Sequence, residues 1–294
     1  MSKRRQSIAE WHGPGVEEGY KFVFRSSDPA QITDEIRELK ASHAYPGIRS
    51  MVLTSLGAEE HANPEYMIIT GCVRVFDSTQ GLGNYFTLLD RLGISYTFLR
   101  HSEYCSALPA LHTASTEQEW DVAWKDAREM AERNYEQARP LGVKNLVYFC
   151  SDGYSVAQRI HERFGLESEP LFYLDILGDR LEGKSLRLEP TVVGFFPGCW
   201  KERRMVNPNL KIKPQNWRSM LERIEGVRVA EMSAEICCKE DAATIVRQAE
   251  ELGADCIVTP CHGVGQAKFR NLGKLPALTV SDLLLEALAL EDAA

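Results

Sequence analysis

One order of apolar runs and amphipathic stretches occurs twice along the chain, and it constrains the fold more than any other feature. Short apolar runs at 67–69, 95–99 and 146–149 read as strands, and so do 191–196, 227–230 and 256–258. Helical periodicity lies between and after them: about 84–92, 117–138 and 156–164, then 215–224, 242–252 and 278–290. Pro140 and Gly142 end the longest of these helices. Strand–helix alternation predicts parallel sheets with helices packed on their faces. Repetition of the order predicts two α/β lobes, 66–185 and 186–294. Residues 1–65 stand outside the repeat. They read as an N-terminal α/β extension, with a strand at 20–25, a helix to Leu39 capped by Asp28 or Thr33, a second strand around Met51-Val52-Leu53, and a loop at 57–64.

The cysteines follow the same order. There are eight, and the first 71 residues contain none. In the first half Cys72, Cys105 and Cys150 each follow a predicted strand. In the second half Cys199, the pair Cys237-Cys238, and Cys261 do the same. Ligands of open parallel sheets bind outside the carboxyl ends of the strands, so each set is expected to converge on one such edge. Cys256 begins a strand and has no counterpart in the first half; it reads as a core residue. Buried cysteine also serves simply as a small hydrophobe, but scattered core cysteines would not choose strand ends twice in one order.

Composition removes several classes of function. Of 294 residues, 44% are hydrophobic, which is ordinary for a globular chain and excludes disorder as the main state. The 34 Lys and Arg against 42 Asp and Glu leave a net charge of -8, which argues against general nucleic-acid binding. The longest apolar stretches, such as 283–290, are too short to span a membrane. The basic start Met1-Ser-Lys-Arg-Arg leads into polar residues 6–18 and not into the apolar core of a secretory signal, so the expected location is cytoplasmic, where thiols stay reduced. Gly263-Val264-Gly265 and Gly81-Leu82-Gly83 begin like dinucleotide loops, but Lys268 and Phe86 stand where a third glycine belongs. Lys201-Glu202-Arg203-Arg204 reads as a solvated loop, with a positive wall for an anionic substrate or cluster as the functional alternative.

Gly198-Cys199, Cys237-Cys238 and Pro260-Cys261-His262-Gly263 resemble the duplicated cysteine-rich repeat of the heterodisulfide reductase family, shared by related glycolate oxidase and respiratory iron-sulfur proteins. Gly71-Cys72, Tyr104-Cys105-Ser106 and Cys150-Ser151-Asp152-Gly153 look like its first copy. The likeness runs from about Tyr66 to Leu290, including a closing strand and helix at 275–290. It implies two Rossmann-like lobes related by an approximate two-fold. It also implies [4Fe-4S] clusters, non-cubane where the motif of five cysteines is complete, electron transfer to or from disulfides, and two partners: a ferredoxin-like small subunit and a flavin-containing subunit. Neither copy is complete. Tyr104 and Gly153 replace two cysteines of the first, and Val264 replaces the last cysteine of the second, where Lys239 also follows the pair. A whole two-cluster disulfide reductase site therefore does not carry over. The narrower expectation is a branch that handles sulfur on a protein-bound dithiol.

Four thiolates satisfy either a Cys₄ iron-sulfur cluster or a tetrahedral zinc, and Cys199, Cys237, Cys238 and Cys261 make four. Adjacent side chains such as Cys237 and Cys238 point differently, which suits different irons of one cluster better than a single zinc. His262 is weighed as a further ligand against being simply exposed. Cys72, Cys105 and Cys150 leave a position open, either for a non-cysteine ligand or for substrate sulfur, or mark an empty site; Asp152 and His101 are nearby candidates. A metal-free vicinal redox pair at Cys237-Cys238 ranks third, because the chain has no C-x-x-C. Two functions follow as expectations. One is an iron-sulfur subunit coupling electron transfer to disulfide or persulfide chemistry. The other is a non-catalytic assembly subunit with one structural zinc or cluster.

Overall fold

The computed structural model describes residues 31, 46–58, 60–71, 74–100, 103–104, 106–198, 200–238, 240–262 and 264–289. In chain order the helices are α1 (Pro46–Ser55), α2 (Arg74–Asp77), α3 (Thr79–Arg91), α4 (Leu108–Thr113), α5 (Glu117–Ala138), α6 (Ser151–Phe164), α7 (Lys201–Val206), α8 (Pro214–Glu222), α9 (Ala242–Glu251), α10 (Val264–Leu272) and α11 (Val280–Ala289). The strands are β1 (Tyr66–Ile69), β2 (Tyr96–Phe98), β3 (Asn145–Tyr148), β4 (Leu171–Phe172), β5 (Arg187–Phe195), β6 (Glu225–Glu231), β7 (Cys256–Thr259) and β8 (Ala277–Thr279). They form two four-stranded sheets, ordered β2-β1-β3-β4 and β6-β5-β7-β8, and every pairing is parallel. The expected α/β class with parallel sheets is what the chain adopts, and the strand order is the same in both sheets.

Two compact units contain these sheets. The first comprises residues 1–79, 95–172 and 202–211; the second comprises 80–94, 173–201 and 212–294. Each unit therefore takes a segment from the other's stretch of sequence. Residues 80–94, carrying nearly all of α3, belong with the second sheet, and 202–211, carrying most of α7, belong with the first.

Local chemistry explains most boundaries. Thr116 caps α5: its hydroxyl accepts from the Glu119 N–H, while the Glu119 carboxylate reaches back to the Thr116 N–H, a capping box. A similar exchange starts α11. Asp282 N–H donates to Thr279 Oγ1 at 3.1 Å, and Thr279 N–H donates to the Asp282 carboxylate at 2.9 Å. That cap is why the expected helix at 278–290 splits into β8 and then α11. Short buried runs close the sheets: every residue of β2 and of β7 is buried.

The expected strand around Met51-Val52-Leu53 is instead helix α1. Alternation would bury Met51 and Leu53 together, yet Met51 is 72% exposed, and the fully buried pair is Arg49 and Leu53, one helical turn apart. Pro46 opens the helix, where its fixed φ is no obstacle. The strand at 20–25 and the helix ending at Leu39 lie outside the described residues. Among the described residues no helix is long and apolar enough to cross a membrane.

Candidate functional site

In the first sheet β2, β1 and β3 are neighbours, so the segments that follow them leave from one carboxyl edge. Cys72 and Cys105 lie outside the described residues; Cys150 is described. The described residues beside the first two positions are held by largely buried polar side chains. The Glu103 carboxylate accepts the Thr70 N–H at 2.9 Å, the Thr70 hydroxyl at 2.9 Å and the Gly71 N–H at 2.7 Å. Arg49, fully buried on α1, closes an ion pair to it at 2.8 Å and also donates to the Leu99 carbonyl at 2.9 Å. Asn134 on α5 clasps Tyr104 on both backbone sides, accepting its N–H at 2.9 Å and donating to its carbonyl at 3.1 Å.

Gly71 has φ of 89°, and a side chain there would put Cβ 2.7 Å from that of Cys150. The chain after β1 thus passes directly against Cys150 only because residue 71 is glycine. Cys150 precedes α6. Burial pushes its thiol up to about 11 and Asp152 adds to the rise, while Arg74 and the N–H groups of Gly153 and Asp152 oppose it. A cavity of about 40 Å³ lies alongside, lined by Tyr104, Asn134, Tyr148, Cys150, Ala131 and Ile160 among others. Burial holds the Tyr148 phenol well above its ordinary value, with Tyr135 and Glu103 contributing.

At the second sheet's carboxyl edge Cys199 lies outside the described residues, while Cys237, Cys238 and Cys261 are described. Cys237 and Cys238 are both buried, and Cys238 packs in an apolar cluster with Phe196, Met232 and Ile245. The Cys237 carbonyl accepts the N–H groups of Glu240 and Asp241 at 3.0 and 2.9 Å, a turn that leads into α9. Cys261 follows β7 and is partly exposed; its N–H donates to Thr259 Oγ1 at 3.3 Å and its thiol donates weakly to the His262 carbonyl at 3.7 Å. Among the described residues no three His, Cys, Asp or Glu side chains come together as metal ligands. The donor chemistry suits a soft metal. The three described sulfurs do not by themselves form a closed set.

Several residues stand otherwise than expected. His262 is 6% exposed, not solvated. Its ring lies edge-on to Tyr173 at 4.8 Å, and a side chain on Gly81 would come within 2.8 Å of its Nδ1. The expected solvated loop at 201–204 is the start of α7. Arg203 there pairs with Asp152 at 2.7 Å, both only 13% exposed, so Asp152 is engaged by a guanidinium. Lys201 pairs with Glu240 on the surface. Cys256 is buried in β7, as a core residue should be, and burial pushes its thiol up to about 11. His101 lies outside the described residues. Arg49, Glu103, Asn134 and Tyr148 went unnoticed in the sequence, where lone polar residues carry no signal of burial.

The molecule is an α/β protein with two parallel sheets, and Cys150 and Cys261 closely follow strands β3 and β7. No protein-family model matches it. Over 141 residues, 47% of the chain, it is 27% identical to the EtfAB:quinone oxidoreductase of Syntrophomonas wolfei subsp. wolfei, and the match covers 18% of that protein. The chain therefore spans less than a fifth of the curated relative it matches. Among solved structures, glutamate racemase from Aquifex pyrophilus aligns over 78% of this chain and 83% of its own, with 11% identity and a TM-score of 0.30. An aspartate racemase homologue from Pyrococcus horikoshii aligns over 79% of this chain and all of its own, with 9% identity and a TM-score of 0.29. Scores this low carry nothing about function.

Proposed function

We propose that the chain is an electron-transfer subunit that binds an iron-sulfur cluster, a member of a heterodisulfide reductase-like complex acting on a disulfide or protein-bound dithiol. One observation carries this reading. The two sheets have the same strand order, and in each the three adjacent strands that come first in the chain are all followed, in the sequence, by cysteine. A redox role is supported by the partial likeness to a protein named as an oxidoreductase.

Cys199, Cys237, Cys238 and Cys261 would hold the cluster, and Cys72, Cys105 and Cys150 a second one if the first edge is also filled. A bound cluster supplies one-electron chemistry. The chain's own residues supply the setting. Cys237 and Cys238 are buried and would hold their share of the cluster away from water, while the partly exposed Cys261 would leave it within reach of a partner. A ferredoxin-like small subunit and a flavin-containing subunit are the partners this reading calls for.

The packing of Cys238 among apolar side chains favours a second reading, a non-catalytic assembly subunit with a structural zinc. Optical spectra of protein purified without oxygen separate the two. Broad visible absorbance that bleaches on reduction supports the redox subunit. A colourless protein with about one zinc per chain supports the assembly role.

A further inference from the structure

Cys261 is held unlike the other described sulfurs of its edge. The peptide unit that precedes it is gripped on both sides. Its N–H half, the Cys261 amide, donates to Thr259 Oγ1 at 3.3 Å. Its carbonyl half, that of Pro260, accepts the buried Tyr173 hydroxyl at 2.9 Å. A peptide unit is planar, so two bonds on opposite sides fix its orientation, and the proline ring fixes φ just before it. That orientation sets the direction in which Cys261 leaves the backbone.

The donor is itself anchored. The Tyr173 carbonyl accepts the Tyr85 hydroxyl at 2.9 Å, and the two rings meet edge-on with centroids 5.2 Å apart. Tyr85, Tyr173 and Thr259 are fully buried. Residue 262, just after Cys261, is held too. The His262 ring lies edge-on to Tyr173 at 4.8 Å, and Gly81 passes so close that a Cβ there would come 2.8 Å from Nδ1. Gly81 and Tyr85 both lie on α3, the helix that comes from the first half of the sequence but belongs to the second unit.

We propose that Tyr173 is a positioning residue for Cys261, and that α3, through Tyr85 and Gly81, braces the turn 260–262 around it. The turn is set before any cluster binds, which lowers the cost of ordering the ligand. The inference rests on the reading of Cys261 as a cluster ligand and deepens it: the second edge draws its brace from the first half of the chain.

The test is alkylation of the full-length, metal-free protein by iodoacetamide in the absence of oxygen, followed at each cysteine by mass spectrometry. Tyr173→Phe keeps the ring and removes the bond to Pro260. It should speed Cys261 about fivefold, while Cys237, Cys238 and Cys256 keep their wild-type rates. General loosening of the fold would speed all four together. Gly81→Ala approaches the turn from α3. It favours the helix but displaces the His262 ring, and should likewise speed Cys261 alone. An unchanged Cys261 rate in Tyr173→Phe, or equal rises at all four cysteines, would overturn the proposal. Gly81→Ala decides by the same outcomes if Tyr173→Phe does not fold. Iron counted on the wild type before the metal is removed tests the cluster reading by itself, so failure of the brace and failure of the cluster assignment are told apart.

Discussion

The carboxyl edges of the two sheets begin from the same strand order and are finished in opposite ways. Two residues before the last cysteine of each set stands a hydroxyl-bearing residue. In the second sheet it is Thr259, whose Oγ1 accepts the N–H of Cys261 at 3.3 Å. In the first it is Tyr148, whose ring lies against Gly153 and whose buried hydroxyl has no hydrogen-bond partner among the described residues. The loops differ likewise. At the first edge Glu103 and Asn134 grip the backbone of Gly71 and Tyr104, beside two of the cysteine positions, and Arg49 pairs with Glu103. At the second edge Cys237 and Cys238 rest on apolar packing and a turn. Two sheets of one strand order thus carry edges built differently, one on polar side chains that hold the backbone and the other on apolar packing around its thiols.

The largest effect that would expose this difference is loss of the Arg49–Glu103 pair. Glu103→Ala strands a buried guanidinium and frees the Thr70 and Gly71 N–H groups, and should destabilise the first unit by about 3–5 kcal/mol. Denaturant unfolding monitors it, and the same variant should leave metal bound at the second edge unchanged. Asn134→Ala removes both hydrogen bonds to Tyr104 and should cost about 2 kcal/mol. A loss below a few tenths would show that the loop after β2 is held some other way.

A pH titration sharpens the comparison from the core side. Burial raises the thiols of Cys150 and Cys256 from an ordinary 9.0 to about 11. The folded protein therefore keeps these protons while the unfolded chain loses them. Their contribution is complete below pH 9.0 and is lost as pH rises toward about 11. The buried Cys256 accounts for about 2 kcal/mol of that fall, and the more open Cys150 for less. Unfolding of metal-free protein between those limits should show the decline, and Cys256→Val should flatten it. The smallest expected effect has the opposite sign. Tyr148→Phe removes a buried hydroxyl that has no partner among the described residues and should raise stability by about 1 kcal/mol, seen as a higher Tm; a lower Tm would mean that the hydroxyl is satisfied in solution.

The sequence announced what repeats and missed what bends the repeat. Helix α5 was legible at both ends because apolar period, Pro140 and Gly142 agree, and β7 because its apolar run is short and closed by Pro260. α3 begins at Thr79, well ahead of the periodic stretch, because Gly81 and Gly83 read as a loop; Gly81 is there for the close approach of His262. α1 was read as a strand because its buried charge, Arg49, looks like a surface residue until its partner, 54 positions away, is known. Glu103 and Tyr148 were invisible for the same reason, since burial of a lone polar residue is a property of the packed chain. That Tyr104 stands where a cysteine is expected was legible in the sequence, but the approach of the Tyr148 ring to Gly153 was not, because only the packed chain brings position 148 against 153.

The central claim, that Cys199, Cys237, Cys238 and Cys261 hold a cluster, is tested most directly by counting iron and sulfide per chain in protein purified without oxygen, for the wild type, Cys261→Ala and Cys150→Ala. About four irons per chain, lost in Cys261→Ala and kept in Cys150→Ala, is the predicted result. Iron that survives Cys261→Ala but disappears in Cys150→Ala, or no iron in any of the three, would contradict it.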